Sequence, residues 1–341
     1  MLQLKNNTPF SPMITVFPDS DGVDTLFVMV KATFRLGPPW GLAVKQLPVT
    51  MKDEYWGEPA SFSMKYASDI HLTKPGTDVI LVGRAWAPNE SKVFFLDVRL
   101  SVDGREKIAR VTGNRRWKDG QPTQPESFQS MPLVYEYAYG GTHQLEIDGQ
   151  PVLLAEEKNP VGRGFAGRRT SEEMEGLALP NVEEPNALIW HPGMTAPPLC
   201  FGPIAASWMP RRQYAGTYDD AWSAQRSPYL PLDFNSRFFQ VAHPDLVFDQ
   251  YLKGGELVEL DQLSRRGNFR FALPERSVEA IAKVAGKQEA ISMNLETVLF
   301  EPESDRMSMV WRGHLSCDKK ILKVNEVTIN LLDVCIDGKR L

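Results

Sequence analysis

The chain has 341 residues, 24% charged and 42% hydrophobic, the balance of an ordinary soluble globular protein with length for one large or two ordinary domains. A net charge of −5 speaks against a general nucleic-acid binder, which carries a basic surface. No run of 18 apolar residues offers a membrane span, and the opening MLQLKNNTPFSPMITVF lacks the pattern of a secretory leader. Cys200, Cys317 and Cys335 show no CxxC and no metal-ligand spacing, so they are expected as reduced core thiols in a cytoplasmic protein.

In chain order, Asp24 to Leu36 gives the strongest early strand. Val28, Val30, Ala32 and Phe34 share one face, and Phe27, Met29, Lys31 and Thr33 the other. Asp21-Gly22 supplies a turn that makes a hairpin with Thr15-Val16-Phe17. A second strand group follows from Thr77, first TDVILVGRAW, then KVFFLDVRLSV and REKIARVTG around the tight turn Asp103-Gly104.

From Gln121 to about His243 the alternation dissolves into proline, glycine and aromatic residues, too aromatic for disorder. Residues 170–176 are read as one or two helical turns, with Thr170 or Ser171 as N-cap and Gly176 at the end. Phe201 to Tyr251 carries eleven aromatics, about twice the 10% of the whole chain, broken by five prolines. This stretch is expected to strap across the body, some rings filling gaps and others facing a partner.

Alternation returns at Leu257–Leu260 and Phe269–Leu273, and again at Leu295–Phe300, Met307–Leu315 and Val327–Leu332. Arg276–Lys287 reads as weakly helical. The expected fold is all-β or β-rich, α+β with few helices: sandwich-like antiparallel sheets decorated by a long ordered proline- and aromatic-rich loop region. Residues 1–275 are assigned to one β-rich domain and 276–341 to a C-terminal β extension on the same core.

Motifs for chemistry are sparse. There is no GxSxG, HExxH, Walker A loop or strand–GxGxxG–helix unit, so neither a catalytic residue nor a metal or cofactor is assigned. NPVGRGF at 159–165 reads as a glycine-shaped turn before an anion cradle, and the five histidines show no ligand spacing. Asp219, Asp220 and Asp233 stand beside aromatics, which leaves a carbohydrate-active hydrolase or sugar-binding protein working through 218–237 as the alternative function.

Several stretches in one order resemble the domain of unknown function 2169 family from Thr8 to about Leu273. They include VKATFRL at 30–36, SDIHLTKPGTDVILVGRAWAP at 68–88, MPLVYEYAYGG at 131–141, NPVGRGF at 159–165, FGPIAASWMPRRQYAGTYDDAW at 201–222 and LPLDFNSRFF at 230–239. Tyr137 and Tyr139 depart mildly from the family's pattern, and the added pentapeptide repeats of some relatives are missing. The resemblance implies a cytoplasmic bacterial adaptor or chaperone, not an enzyme, that serves type VI secretion. Its partners would be a toxin (effector) encoded nearby, a proline-alanine-alanine-arginine repeat (PAAR) tip protein and the valine-glycine repeat (VgrG) spike, with no nucleic acid and no membrane. The expected partner surface is Trp208, Arg211, Arg212, Tyr214, Tyr218, Trp222, Arg237 and Phe238, with Arg163, Arg168 and Arg169 beside it.

Overall fold

The alternation of DTLFVMVKATFR sets one strand, Asp24–Arg35, at the centre of the first sheet. The computed structural model describes residues 2–332, so Cys335 and the end of the 276–341 segment lie outside the described residues. Gly22, at φ +82°, and the Asp19 carboxylate, which accepts from the Asp21 and Val23 amides, shape the turn before it. The hairpin with Ser11–Pro18 pairs Thr15 with Phe27 and Phe17 with Thr25.

On its other side the strand pairs along its whole length with Arg306–Ser316, Phe34 opposite Met307 and Thr25 opposite Ser316. Asn294–Glu301 follows antiparallel, and Asp78–Leu81 joins in parallel. Two stretches nearly 280 residues apart are therefore neighbours at the middle of one sheet.

Every residue from Thr25 to Phe34 is buried. Val28, Val30, Ala32 and Phe34 enter the main apolar core. The opposite face, with Lys31 and Thr33, is covered by irregular chain instead. Lys31 Nζ donates to Thr50 Oγ1 at 2.7 Å and to Asp69 at 3.0 Å, so the buried ammonium keeps its partners. The Gln46 side chain completes the backbone bonding of Thr33, accepting from its N–H and donating to its carbonyl.

The second sheet is built on the expected hairpin of Phe95–Val102 with Arg105–Thr112. Asp103 and Gly104 turn it at φ 48° and 80°, the left-handed pair that a two-residue hairpin requires. Leu257–Asp261 and Phe269–Ala272 extend one side, and Val182–Glu183 the other. A third sheet orders Gln3–Asn6, Val324–Leu332, Ser277–Val284 and Lys287–Ile291. Val98, Leu100, Val258 and Leu260 of the second sheet and Ala280, Ala282, Val327 and Ile329 of the third join Val28 and Val30 in one apolar cluster. The architecture is β-rich with mostly antiparallel sheets, as the pattern of short strands predicts. No helix among the described residues is long and apolar enough to cross a membrane.

Three elements differ from the sequence reading. Arg276–Lys287 is not helical: Ser277–Val284 is a strand, with Ala285-Gly286 turning into Lys287–Ile291 at φ 50° and 85°. Val278, Ala280, Ala282 and Val284 are the buried alternate positions, so the period is two, and small alanines had disguised it as helical. TDVILVGRAW breaks at Val82-Gly83 into Asp78–Leu81 in the first sheet and Arg84–Trp86, which pairs with Ser130–Pro132. The 121–243 region holds an unforeseen hairpin, Thr142–Ile147 with Gln150–Ala155, and a helical turn-and-a-half, Asp220–Gln225. The predicted turn after Thr170 is present at Ser171–Met174, closed by a capping box between Thr170 and Glu173.

Candidate partner-docking surface

The aromatic strap begins inside the protein. Phe201 is fully buried, and Trp208 is 5% exposed, packed with Met64, Tyr135, Ala138 and Ile204 in a second apolar cluster. Trp208 is thus corrected from a surface candidate to a core residue: an apolar ring of that area, with a pocket behind it, is more stable inside. Arg211 is corrected with it. Its Nη1 donates to the Ile204 carbonyl at 2.7 Å and its Nε to the Phe238 carbonyl at 2.9 Å, with the guanidinium 5.2 Å above the Phe238 ring. Burial lowers its pKa, against the pull of Asp53 and Asp78. Arg211 staples two parts of the strap together.

The other candidates divide by exposure. Arg212 is exposed and pairs at 3.1 Å with Glu157, a surface contact of roughly 0–1 kcal/mol. Tyr218 is 54% exposed and meets the half-buried Trp222 edge to face at 4.7 Å. Arg237 is exposed, whereas Tyr214 and Phe238 are half-buried, the latter in a ring cluster with Phe234 and Phe239. Arg168 is exposed, and Arg169 is half-buried, donating to the Phe165 and Thr142 carbonyls.

Arg163 sits in the NPVGRGF turn, which is a structural knot. Asn159 is fully buried and donates to the Tyr135 and Tyr139 carbonyls at 2.8 and 2.9 Å. A Cβ on Gly162 would stand 2.4 Å from that amide nitrogen, so only glycine lets the chain pass. The Arg163 guanidinium lies 4.1 Å from the Tyr137 ring and donates to the Glu136 carbonyl and Asn181 Oδ1. An anion would have to displace these contacts.

The three carboxylates beside the strap's aromatics are all exposed. Asp219 caps the Asp220–Gln225 helix by accepting from the Trp222 amide at 2.8 Å. Asp233 accepts from the amide and hydroxyl of Thr217, bonds that hold its pKa below the usual range. Both are spent on local turns, and Asp233, so held, is a poor proton donor.

Two of the histidines, His71 and His243, are held in structural contacts. His71 is half-buried on the polar side of the first sheet, its ring stacked at 5.4 Å on Phe239 of the strap, and desolvation beside Arg312 and Lys74 keeps it neutral. His243, Glu184 and Asp245 converge closely enough to suggest a cation site. Lys107 already supplies the cation: its Nζ donates to Glu184 and, at 2.8 Å, to Asp245.

Sequence reasoning passed over a groove that the structure presents openly. Glu54–Tyr55 and Met64–Tyr66 form a small two-stranded arm over Trp208. The loop between them displays Trp56 (44% exposed) and Phe62 (42%), whose ring folds over Gly57. With Tyr66, Val134 and Tyr137 they enclose about 460 Å³. The signal was there in Tyr55, Trp56, Phe62 and Tyr66 around a Gly-Glu-Pro turn, but in sequence it resembled any irregular stretch.

Titratable groups at this groove are held in fixed bonds. Glu136 accepts from the amide and hydroxyl of Ser63 at 2.8 and 2.6 Å. Glu301 accepts from Tyr66 at 2.6 Å and from two nitrogens of Arg306 at 2.7 Å; burial, then the bond to Glu301, raises the Tyr66 pKa against the pull of Arg306. Glu303 accepts from the Trp86 indole N–H at 2.7 Å. Lys65 lies 4.6 Å over the Trp56 ring. Such a site can offer rings and oriented polar groups to another surface.

Fold and site define a β-rich protein with exposed aromatic grooves on an ordered, loop-covered face. The family model described as an uncharacterized protein conserved in bacteria, domain of unknown function 2169, matches residues 21–312. The chain belongs to that family. No curated protein and no solved structure matches it.

Proposed function

We propose that the protein is a non-enzymatic adaptor, or chaperone, of type VI secretion in the bacterial cytoplasm. It holds an effector encoded nearby, or that effector's PAAR-like tip domain, and loads it onto the VgrG spike. The observation that carries this reading is the open groove at Trp56, Phe62 and Tyr137, where aromatic side chains are presented to solvent on a firmly bonded frame. Large exposed aromatics are costly in water and are the commonest anchors of protein interfaces. Exposed Tyr218 and Arg237 add anchoring side chains on the strap.

The test is co-expression of the tagged chain with the products of the flanking genes, followed by pull-down and a solubility assay. A stable complex with a toxin or tip protein, weakened at least tenfold by Trp56→Ala with Phe62→Ala, is the expected result. A folded bait that captures neither neighbour and leaves their solubility unchanged would overturn the proposal.

A further inference from the structure

A second groove lies where the three sheets meet. Its floor takes Phe34 and Met307 from the first sheet, Phe271 from the second and Leu331 from the third, and Trp40 forms a wall. It measures about 630 Å³ and most of its lining is apolar. Trp40 remains 46% exposed although its ring stands 4.8 Å from Phe271, and Leu42 beside it is 38% exposed. These rings stand at a sheet junction with apolar surface that a partner could cover.

The groove runs beside a free sheet edge. Among the described residues, Phe269–Ala272 ends the order of the second sheet, paired with Leu257–Asp261 on one side only. An unpaired edge offers backbone donors and acceptors to an added strand, and the alternate side chains of that strand fall into whatever pockets lie alongside. Here the pocket alongside is the apolar floor.

The rim supplies the charge. Arg35 and Arg276 line the groove, are exposed, and have no carboxylate within ion-pair distance among the described residues. Among the described residues, Glu275 is the lone acidic group of the lining. In a chain of net charge −5, a groove with two such arginines favours an acidic partner.

We propose that this groove binds an extended segment of the adaptor's cargo, added as a strand to the Phe269–Ala272 edge, in which apolar residues alternate with carboxylates. The apolar residues fill the floor over Phe34, Phe271 and Met307, and the carboxylates meet Arg35 and Arg276. The inference rests on the adaptor reading and names the chemistry of one of its contacts.

The experiment measures affinity of the full chain for the captured neighbour, for wild type, Trp40→Ala and the double reversal Arg35→Glu, Arg276→Glu. Both arginines are exposed, so thermal melts of the reversal are expected to match wild type. In parallel, amide NMR shifts are followed with the probe peptides acetyl-VDVDVD-amide and acetyl-VKVKVK-amide. The expected outcome is at least a tenfold loss of neighbour affinity in the double reversal, about fivefold in Trp40→Ala, and shifts at residues 269–272 and 40–42 from the acidic peptide alone. The double reversal is expected to exchange the peptide preference.

Neighbour affinity unchanged within twofold would overturn the groove while leaving the adaptor reading standing. A chain ending at Leu332 that gains affinity for the acidic peptide would assign the groove to the chain's own residues 333–341 and overturn it. A wild-type dimer that Trp40→Ala converts to monomer would assign it to a second copy and overturn it equally. If no neighbour is captured at all, the adaptor reading fails, and the peptides alone decide whether the groove takes an acidic strand. Equal shifts from both peptides, or none, would overturn it.

Discussion

The indole of Trp208 meets the ring of Tyr135 edge to face, centroids 5.5 Å apart and planes at 86°. This contact joins the aromatic strap to the Met131–Gly141 segment and supports the arm that carries Trp56. A residue whose surroundings look like a docking anchor thus serves to position other rings that face outward.

The two tryptophans are therefore expected to separate stability from binding. Trp208→Ala should cost about 3–5 kcal/mol, because it leaves a cavity under the arm. Trp56→Ala, on a half-exposed ring, should cost under about 1 kcal/mol. Urea unfolding monitored by circular dichroism checks both. Equal losses would mean that Trp56 is as structural as Trp208.

Gly140 stands at φ +148°, and a Cβ there would lie 2.1 Å from the Asn159 carbonyl oxygen. Gly140→Ala combines a forbidden backbone conformation with a collision against main chain that no rotamer change relieves. The expected loss exceeds about 3 kcal/mol, read as poor soluble yield or a strongly lowered melting temperature. A melt within two degrees of wild type would contradict the knot at 159–164.

Acid should find His243. Burial, then the Lys107 ammonium, lowers its pKa to about 4 against the opposing Asp245. Its Nδ1 accepts from the Asp245 amide at 3.3 Å, a bond that protonation removes. The unfolded chain takes up this proton near pH 6.5 and the native state does so only near 4. The stabilisation is therefore complete above about pH 6.5 and lost as pH falls towards 4, at most about 3 kcal/mol from this group. His71, lowered in the same way, acts in the same direction. His243→Asn keeps an acceptor for the Asp245 amide and should flatten the fall between pH 6.5 and 4.5. Parallel stability–pH curves for the two proteins would refute this assignment.

Arg312 and Glu296, 1% and 2% exposed and 3.0 Å apart, form a buried pair across two strands of the first sheet. Arg312→Met alone strands a buried carboxylate and should cost about 3–5 kcal/mol. Adding Glu296→Gln should recover at least half of that loss, since no buried charge is then left without a partner. Equilibrium denaturation of the two single variants and the double tests the coupling. Strict additivity would show that the pair does not act as a unit.

Where one face of a strand is apolar and a tight turn joins it to the next, the sequence was sufficient. The Phe95–Thr112 hairpin, the Asp24–Arg35 strand and the Thr170 cap could all be read locally, because pleat, left-handed turn residues and helix ends impose their own residue types. Short strands with little helical periodicity also determined the β-rich class.

Only the tertiary structure decided which strands meet and which rings face out. Pairing Asp24–Arg35 with Arg306–Ser316 depends on register across nearly 280 residues, for which local pattern holds no information. Alanine at 280 and 282 hid a strand because a small residue satisfies either period until its neighbours are known. Trp208 and Trp56 look alike in sequence, both set among prolines and aromatics. One is covered and the other displayed because the arm at 54–66 lies over the first and carries the second. Exposure is a property of what packs on top, and that is settled by the fold as a whole.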